Sequence, residues 1–523
     1  MKQPMEAIEQ LKNKWGKRGS LAFLSAFLLG LLTHLPVMLS DIPNHDGLAS
    51  MYFDQNMITS GRWFLTVACG FSSYFTVPWI IGLIGLCFLG LTSVVLADLL
   101  ELKSNLAVVL CSGILVTFPA LASTFAYVFT LDGYMMALLL AVLAVYLTKR
   151  AQWGFLPGAL CLAFSLGIYQ AYLPFAILLC MYLCALLFAD GGWKKARKET
   201  LTKVGSYLGM GVLGFASYYV ILRVLLLIQG KELASYQGIG QAGADQGEGL
   251  MQTLRAITLD FWSFTLRGHV LYQNLFSGIA LAVLGLLFVI AILALAVKRG
   301  WLKQVGFYLI MIAIVICLPI ATSCIRLVSP DLTYHLLMRY QWALFPIVAI
   351  AFFDRHGEEA FGKESTLALS QWALLIAGIV LVFCYGLADN IGYSNLEKKY
   401  EKTYAYCVRL LDRIEQTEGY YQGIPVALIG VVGEDAFPET DLTGKVTGSM
   451  IGLSGDYLLY TSENYEAFIK NYLGASLNLV DVPTMGEIYY TDEYVAMESF
   501  PGPTSTKVVD GILYVKTENQ RRD

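Results

Sequence analysis

The feature that most constrains this chain is the recurrence of uncharged apolar runs about 20 residues long, each bounded by charge or by Gly and Pro. A bilayer core of about 30 Å is crossed by about 20 residues of helix, because a spanning segment must satisfy its own backbone groups. Such runs lie at roughly 20–39, 78–98, 105–125, 131–148, 153–168, 171–189, 204–228, 271–297, 304–325, 340–353 and 369–390. They predict a mainly α membrane protein with about eleven transmembrane helices. The 153–189 stretch must be divided near Gly167-Ile168-Tyr169-Gln170 to give two crossings, and that division sets the side of every later loop. Composition agrees: 56% of residues are hydrophobic and 15% charged, against about 25% charged in soluble domains. A water-soluble globular protein is excluded.

Loop charge orients the spans, since short cytoplasmic loops carry excess Lys and Arg. With the N-terminus inside, the cytoplasmic segments hold Lys12, Lys14, Lys17 and Arg18; Lys149 and Arg150; Lys194, Lys195, Arg197 and Lys198; Lys298, Arg299 and Lys303; Arg355 and Lys363. The opposite loops carry Asp41, Asp46 and Asp54, then Asp132, then a 229–270 stretch containing the Gly-rich GIGQAGADQGEG, then 326–339 with both signs. No small-residue cleavage site follows the first run, so it is expected to stay as an anchor. The expected location is the cytoplasmic (inner) membrane, multi-pass, with the N-terminus cytoplasmic and the tail outside.

From residue 395 onward the chain holds 11 Lys+Arg and 20 Asp+Glu, leaving 25 and 20 before it. NLEKKYEKTYAYCVRLLDRIEQ reads as an amphipathic helix, IPVALIGVV as a buried strand, SENYEAFIKNYLG as a second helix and GILYVKT as a final strand. Three parts are therefore expected: an amphipathic cytoplasmic N-terminus at 1–19, a polytopic domain at 20–394, and a small extracytoplasmic α/β domain at 395–523. The basic residues form no continuous patch, which disfavours a nucleic-acid partner. Cysteines sit mostly inside apolar runs without CxxC or Cys/His spacing and read as small core residues.

The richest polar segment is the first outer loop, LSDIPNHDGLASMYFDQNMITSGRWF. Asp41, His45 and Asp46 follow the first span there, where an ionised carboxylate within about 3 Å of a hydroxyl can act as general base. Asp46 before GLASMYF equally suits a helix start. Asp132, in FAYVFTLDGYMMALLL, stands at the outer edge of a span, where a carboxylate is either functional or a helix cap. Arg326, His335 and Arg339 bring cations to the outer interface against the positive-inside trend. They suit a phosphate or pyrophosphate, or pair with Asp331 or lipid headgroups. Arg62 in SGRW and Arg267-Gly-His269 are weaker candidates of the same kind, and His34 reads as a buried structural histidine. No GxxxxGK[ST], GxSxG, HExxH or strand-borne GxGxxG occurs, so ATP-driven transport by this chain alone is not expected.

Taken together, the carboxylates after the first span, SGRW, YVFTLDGY, GIYQAYLPFAI and a tail outside resemble the type II O-antigen glucosyltransferase (Gtr) family of the GT-C class of polytopic glycosyltransferases. Members commonly carry Asp-Asp about sixteen residues before Gly-Arg; here Asp46 precedes Arg62 by that interval, while the first position is His45. The resemblance implies a GT-C-like fold and an enzyme that moves a sugar, glucose by the family name, from a polyprenyl phosphate to a cell-surface glycan such as O-antigen or teichoic acid, with inversion. On that reading Asp46 is the base, Asp41 its helper, and Asp132, His45, Tyr169 and Gln170 handle acceptor and sugar. Arg326 and Arg339, with His335 and Arg62, hold the donor phosphate. Members differ in metal dependence, so a divalent cation, Mg or Mn, stays open as cofactor. A carrier or flippase for a lipid-linked sugar is the competing reading; it predicts acids inside several spans and repeated broken helices.

Overall fold

The computed structural model describes residues 4–50, 57–70, 75–234, 249–328, 333–430, 441–455 and 458–518. Asp54, Asp331 and the Gly-rich segment 238–248 lie outside the described residues. Among those described, nine helices are long and apolar enough to cross a bilayer: Gly16–Leu39, Pro78–Leu99, Val128–Arg150, Gln170–Gly191, Lys198–Gln229, Leu275–Lys298, Val305–Thr322, Leu336–Phe361 and Glu364–Glu415. The two other expected crossings differ. The 105–125 run is two helices, Asn105–Thr117 and Pro119–Phe125, bent by 48°. Phe118 between them is extended (φ −66°, ψ 127°), because the ring of the following proline disfavours a helical residue before it. The 153–168 run forms a helix of only 14 residues, Phe155–Ile168. The count is thus nine, or ten with the bent pair, rather than eleven.

Helix faces separate cleanly. In Gly16–Leu39, Ala22 and Ala26 are fully buried while Leu24, Leu28 and Leu32 are 53%, 54% and 73% exposed. An outward stripe of leucine at that spacing is costly in water and natural against lipid. Antiparallel neighbours are fixed by polar contacts at both ends. Gln170 Nε2 donates to Tyr218 Oη at 3.1 Å, so Lys198–Gln229 returns to the start of Gln170–Gly191, while Lys203 Nζ donates to the Lys149 carbonyl at 2.9 Å and joins the start of Lys198–Gln229 to the end of Val128–Arg150.

One end of the bundle collects the basic loops. Lys149 and Arg355 both hold Glu101, at 2.7 and 2.6 Å, and Arg355 also holds Asp190 at 2.6 Å. Arg150 pairs with Asp98 and Arg299 with Glu359. Each exposed pair is worth at most about 1 kcal/mol, but the shared partners tie four loops together. The basic loops thus bring their own acids.

At the opposite end sits the tail. Glu364–Glu415 is one continuous helix of 52 residues, about 78 Å long at 1.5 Å per residue, so the last span and the tail's first helix are a single rod. A four-stranded sheet packs beside it: β1 (Pro425–Ile429), β2 (Asn478–Leu479), β3 (Thr506–Val509) and β4 (Ile512–Lys516), in the order β2-β1-β4-β3. β1 is parallel to β2 and β4, and β3 closes the edge antiparallel to β4. Helix Ser462–Phe468 is started by a capping box between Thr461 and Asn464. Buried apolar contacts run without interruption from the bundle into this tail, through Leu396, Tyr406, Leu410 and Val426.

Candidate active site

Three segments that look unrelated along the chain dock on one another at the tail end. Ser60-Gly61-Arg62-Trp63 folds as a tight turn: Ile58–Ser60 is a 3-10 helix and Gly61 closes it at φ 77°. A side chain there is excluded twice, by that backbone angle and because a Cβ would stand 2.5 Å from Tyr218 Oη and 2.9 Å from Gln170 Nε2. The close approach lets Tyr218 Oη donate to the Gly61 carbonyl at 3.1 Å and Phe64 N donate to the Gly167 carbonyl at 2.8 Å. Gly167 in turn accommodates the Trp63 indole, which a Cβ would meet at 2.6 Å. SGRW is therefore clamped on GIYQ.

The turn aims Arg62 at two tyrosines. Tyr134 and Tyr169 stack with centroids 4.1 Å apart and planes 8° from parallel. The Arg62 guanidinium lies 5.3 Å from the Tyr169 centroid and donates to Tyr134 Oη at 3.0 Å. Tyr134 belongs to YVFTLDGY, so all three segments meet at this cation.

They open on one cavity of about 1770 Å³, lined by His45, Asp46, Arg62, Tyr134, Tyr169, Gln170 and His335 at its polar end and mostly by apolar side chains elsewhere. Its apolar walls include Ala176, Ile177 and Met181 on one span, Val212 and Phe215 on the next, and Ile310, Ala313 and Ile314 on Val305–Thr322. Among the described lining residues Asp46 is the only carboxylate and Arg62 the only Lys or Arg.

Asp46 occupies the first turn of the short helix His45–Ser50. Its side chain is 57% exposed, and Oδ1 lies 3.5 Å from His45 Nε2. The loop before it is locked by Asn44, whose Nδ2 donates to the Ala126 carbonyl at 2.8 Å and whose Oδ1 accepts from Gly47 N at 2.8 Å. Burial holds the His45 imidazole below its usual pKa; Asp46 pulls it up and the Lys399 ammonium pushes it down. His335 is also lowered, by burial and then by the charge of Arg339.

The other expected site residues stand elsewhere. Asp41 does not line this cavity; its backbone carbonyl accepts from Tyr472 Oη at 3.4 Å. Asp132 is buried in the first turn of Leu131–Arg150, its Oδ1 accepting from Gly133 N at 2.9 Å, and also does not line it. Arg339 is buried, with Nη1 and Nη2 on the two Asp260 oxygens at 2.9 and 2.8 Å and its guanidinium 4.5 Å from Phe264 and 4.4 Å from Tyr334. Arg326 approaches the same carboxylate at 3.9 Å. This guanidinium is thus already paired with a carboxylate and boxed by aromatic rings. His34 is buried between Tyr393 Oη at 2.6 Å and the Val116 carbonyl at 2.8 Å, as a structural histidine would be.

Sequence reasoning missed Asp260, Tyr218 and the tail residues that reach the first loop. Asp260 carried a signal, being an acid on the strongly amphipathic helix Leu250–Arg267. The tail residues carried none, since Asn464 Nδ2 donates to the His45 carbonyl across 419 positions. Among the described residues no group of three or more His, Cys, Asp or Glu converges where it could hold a metal ion.

No curated protein and no solved structure matches the chain. The model of a family described as glucosyl transferase GtrII does match, over residues 35–353. That span takes in the first outer loop, the SGRW turn, both tyrosines and His335, so one match covers the whole polar end of the cavity, and the chain belongs to the GtrII family of glycosyltransferases.

Proposed function

We propose that this glucosyltransferase takes its sugar from a polyprenyl-phosphate donor and passes it to a cell-surface glycan on the outer face of the bacterial inner membrane. The N-terminus is then cytoplasmic, residues 20–394 form the catalytic membrane domain, and residues 395–523 stand outside. The observation that carries this reading is the cavity's asymmetry: a polar end with one carboxylate and one guanidinium, continuous with a long apolar trough between spans. A prenyl chain suits the trough, because apolar walls cost nothing against an apolar tail. The sugar phosphate suits the polar end.

In this mechanism Asp46 accepts the proton of the acceptor hydroxyl as that oxygen attacks the anomeric carbon. The bond from that carbon to the phosphate oxygen breaks, its electron pair leaves on the phosphate, and a single displacement inverts the anomeric centre. The Asp46 carboxylate is open to an incoming hydroxyl, as a base must be. Arg62 meets the charge growing on the phosphate, with His335 as a second donor from the facing wall. Tyr134 and Tyr169 hold the guanidinium plane, which lets a fixed donor act without reorganising. Gln170 offers an amide at the same end. Arg326 and Arg339 gather on Asp260, and Asp41 and Asp132 do not line the cavity. Among the described residues, the spans that line the cavity place no acid on it, where a carrier would need acids within several spans.

The test uses the full chain in lipid nanodiscs with radiolabelled polyprenyl-phosphate glucose and an envelope glycan fraction. Asp46→Asn keeps shape and removes basicity; transfer is expected to fall by at least about a hundredfold with donor binding unchanged. Transfer by Asp46→Asn at the wild-type rate sinks the base assignment, and transfer from UDP-glucose in preference to the lipid donor sinks the donor assignment.

A further inference from the structure

We infer that the tail is part of the active site: the turn 450–455 and Tyr460 form the acceptor-sugar subsite beside Asp46, with Tyr460 as its aromatic floor. This rests on the reading of Asp46 as base. The tail packs on His45, the residue before the base. The Tyr460 ring lies 4.6 Å from the His45 imidazole, tilted by 60°, and Ile451 is among the side chains that line the cavity. Gly452 packs so closely that a Cβ would stand 2.9 Å from both Ala126 Cβ and the Tyr127 ring, and it turns the chain at φ 83°.

The turn is held by the long helix Glu364–Glu415. Asn395 Nδ2 donates to the Leu453 carbonyl at 2.7 Å and the Gly455 carbonyl at 3.2 Å. Lys399 Nζ donates to the Ser454 carbonyl at 3.0 Å and the Gly452 carbonyl at 3.5 Å. Both side chains are buried, at 6% and 3% exposed. Four successive carbonyls fixed by two buried side chains on a helix that continues from the membrane span make a rigid platform, the kind of support a binding site requires. A buried ammonium is expensive to keep, and here it is spent on the shape of this turn.

Chemistry assigns the occupant. The acceptor hydroxyl must come within about 3 Å of the Asp46 carboxylate, which lies 3.5 Å from the His45 imidazole on which Tyr460 packs. Tyr460 is 38% exposed and offers a flat apolar face with a polar tip, which suits the C–H face of a sugar. The donor is assigned to the part of the cavity lined by Arg62 and the apolar walls. Tyr460 and Ile451 are therefore acceptor-positioning residues.

The test measures initial transfer rate against the concentration of a delipidated envelope glycan fraction, with the full chain in nanodiscs and both polyprenyl-phosphate glucose and UDP-glucose offered. Whichever donor the wild type uses sets the assay, so an error in the donor shows as donor choice and an error here shows in acceptor half-saturation. Tyr460→Ala is expected to raise the half-saturating acceptor concentration about tenfold or more with donor half-saturation unchanged, Tyr460→Phe to restore it, and Ile451→Trp to raise it by obstruction. An unchanged acceptor dependence in Tyr460→Ala, or equal loss in donor and acceptor dependence, overturns the inference. Thermal unfolding of each variant separates a lost subsite from a lost fold.

Discussion

Arg339 holds both carboxylate oxygens of Asp260, at 2.9 and 2.8 Å, inside a box made by Phe264, Tyr334 and Trp342. The pair joins the amphipathic helix Leu250–Arg267 to the start of Leu336–Phe361. Removing one member of a buried pair strands the other, typically at about 3–5 kcal/mol. Asp260→Asn leaves a guanidinium among aromatic rings and is expected to cost roughly 3 kcal/mol. Arg339→Met costs less, since Asp260 keeps some solvent and Arg326 at 3.9 Å. Thermal unfolding in detergent ranks the two. Transfer at permissive temperature should stay near wild type in both; a specific loss of donor binding in Arg339→Met without loss of stability would restore that arginine to the phosphate site.

Much of this architecture was legible because bilayer chemistry acts on single segments. The apolar runs located the helices, and Pro119 inside the third run marks where that run bends. The drop in hydropathy near 395 reads as a domain edge, yet the backbone continues as one helix through it, because a change of surroundings alters side chains and leaves helical hydrogen bonding untouched. Partnerships across the chain were not legible. Gln170 reaches Ser60 across 110 positions and Arg339 reaches Asp260 across 79, and no local pattern encodes either. In sequence Arg339 reads as a phosphate ligand, or as a partner of nearby Asp331, because its actual acid lies on another helix, whereas the SGRW arginine, ranked lower, is the one that lines the cavity.

Gly61 gives a sharper test of the turn that carries Arg62. Its φ of 77° and the 2.5 Å approach of Tyr218 Oη to a would-be Cβ penalise alanine twice, by backbone strain of about 1–3 kcal/mol and by collision. Gly61→Ala is expected to reduce transfer by more than it reduces stability, because the strain is relieved by displacing the turn and with it the guanidinium. Tyr218→Phe removes the colliding oxygen and its bond to the Gly61 carbonyl, so the double variant should recover part of the lost transfer. A double variant worse than the sum of the singles refutes the collision account.

Arg62 itself separates charge from shape. Its guanidinium makes both a hydrogen bond to Tyr134 and a face contact with Tyr169, and lysine can supply the charge but not the planar fork. Arg62→Met should lower transfer by roughly 2–3 kcal/mol of transition-state stabilisation, the range of a charge-assisted hydrogen bond together with a stacked cation. Arg62→Lys should recover only a small part. Steady-state kinetics with varied donor read the outcome; full activity in the lysine variant shows that any positive charge suffices and that the tyrosine stack is incidental.

His45 links the base to pH. Burial lowers its pKa from the ordinary 6.5, Asp46 opposes that shift and Lys399 reinforces it. A group whose folded pKa lies below its unfolded value binds more protons when unfolded, so stability rises with pH between the two values. Its contribution is therefore complete above about pH 6.5 and is lost as pH falls through the lower folded value. Protonation in the folded protein also places a cation 3.5 Å from the Asp46 carboxylate, which opposes its taking a proton, so transfer should decline as pH falls through that lower folded value. His45→Gln is expected to flatten the part of the stability profile just below pH 6.5, read by thermal unfolding from pH 5 to 8. A wild-type profile whose slope in that window survives His45→Gln unchanged assigns the titration to another group and removes His45 from the acid limb.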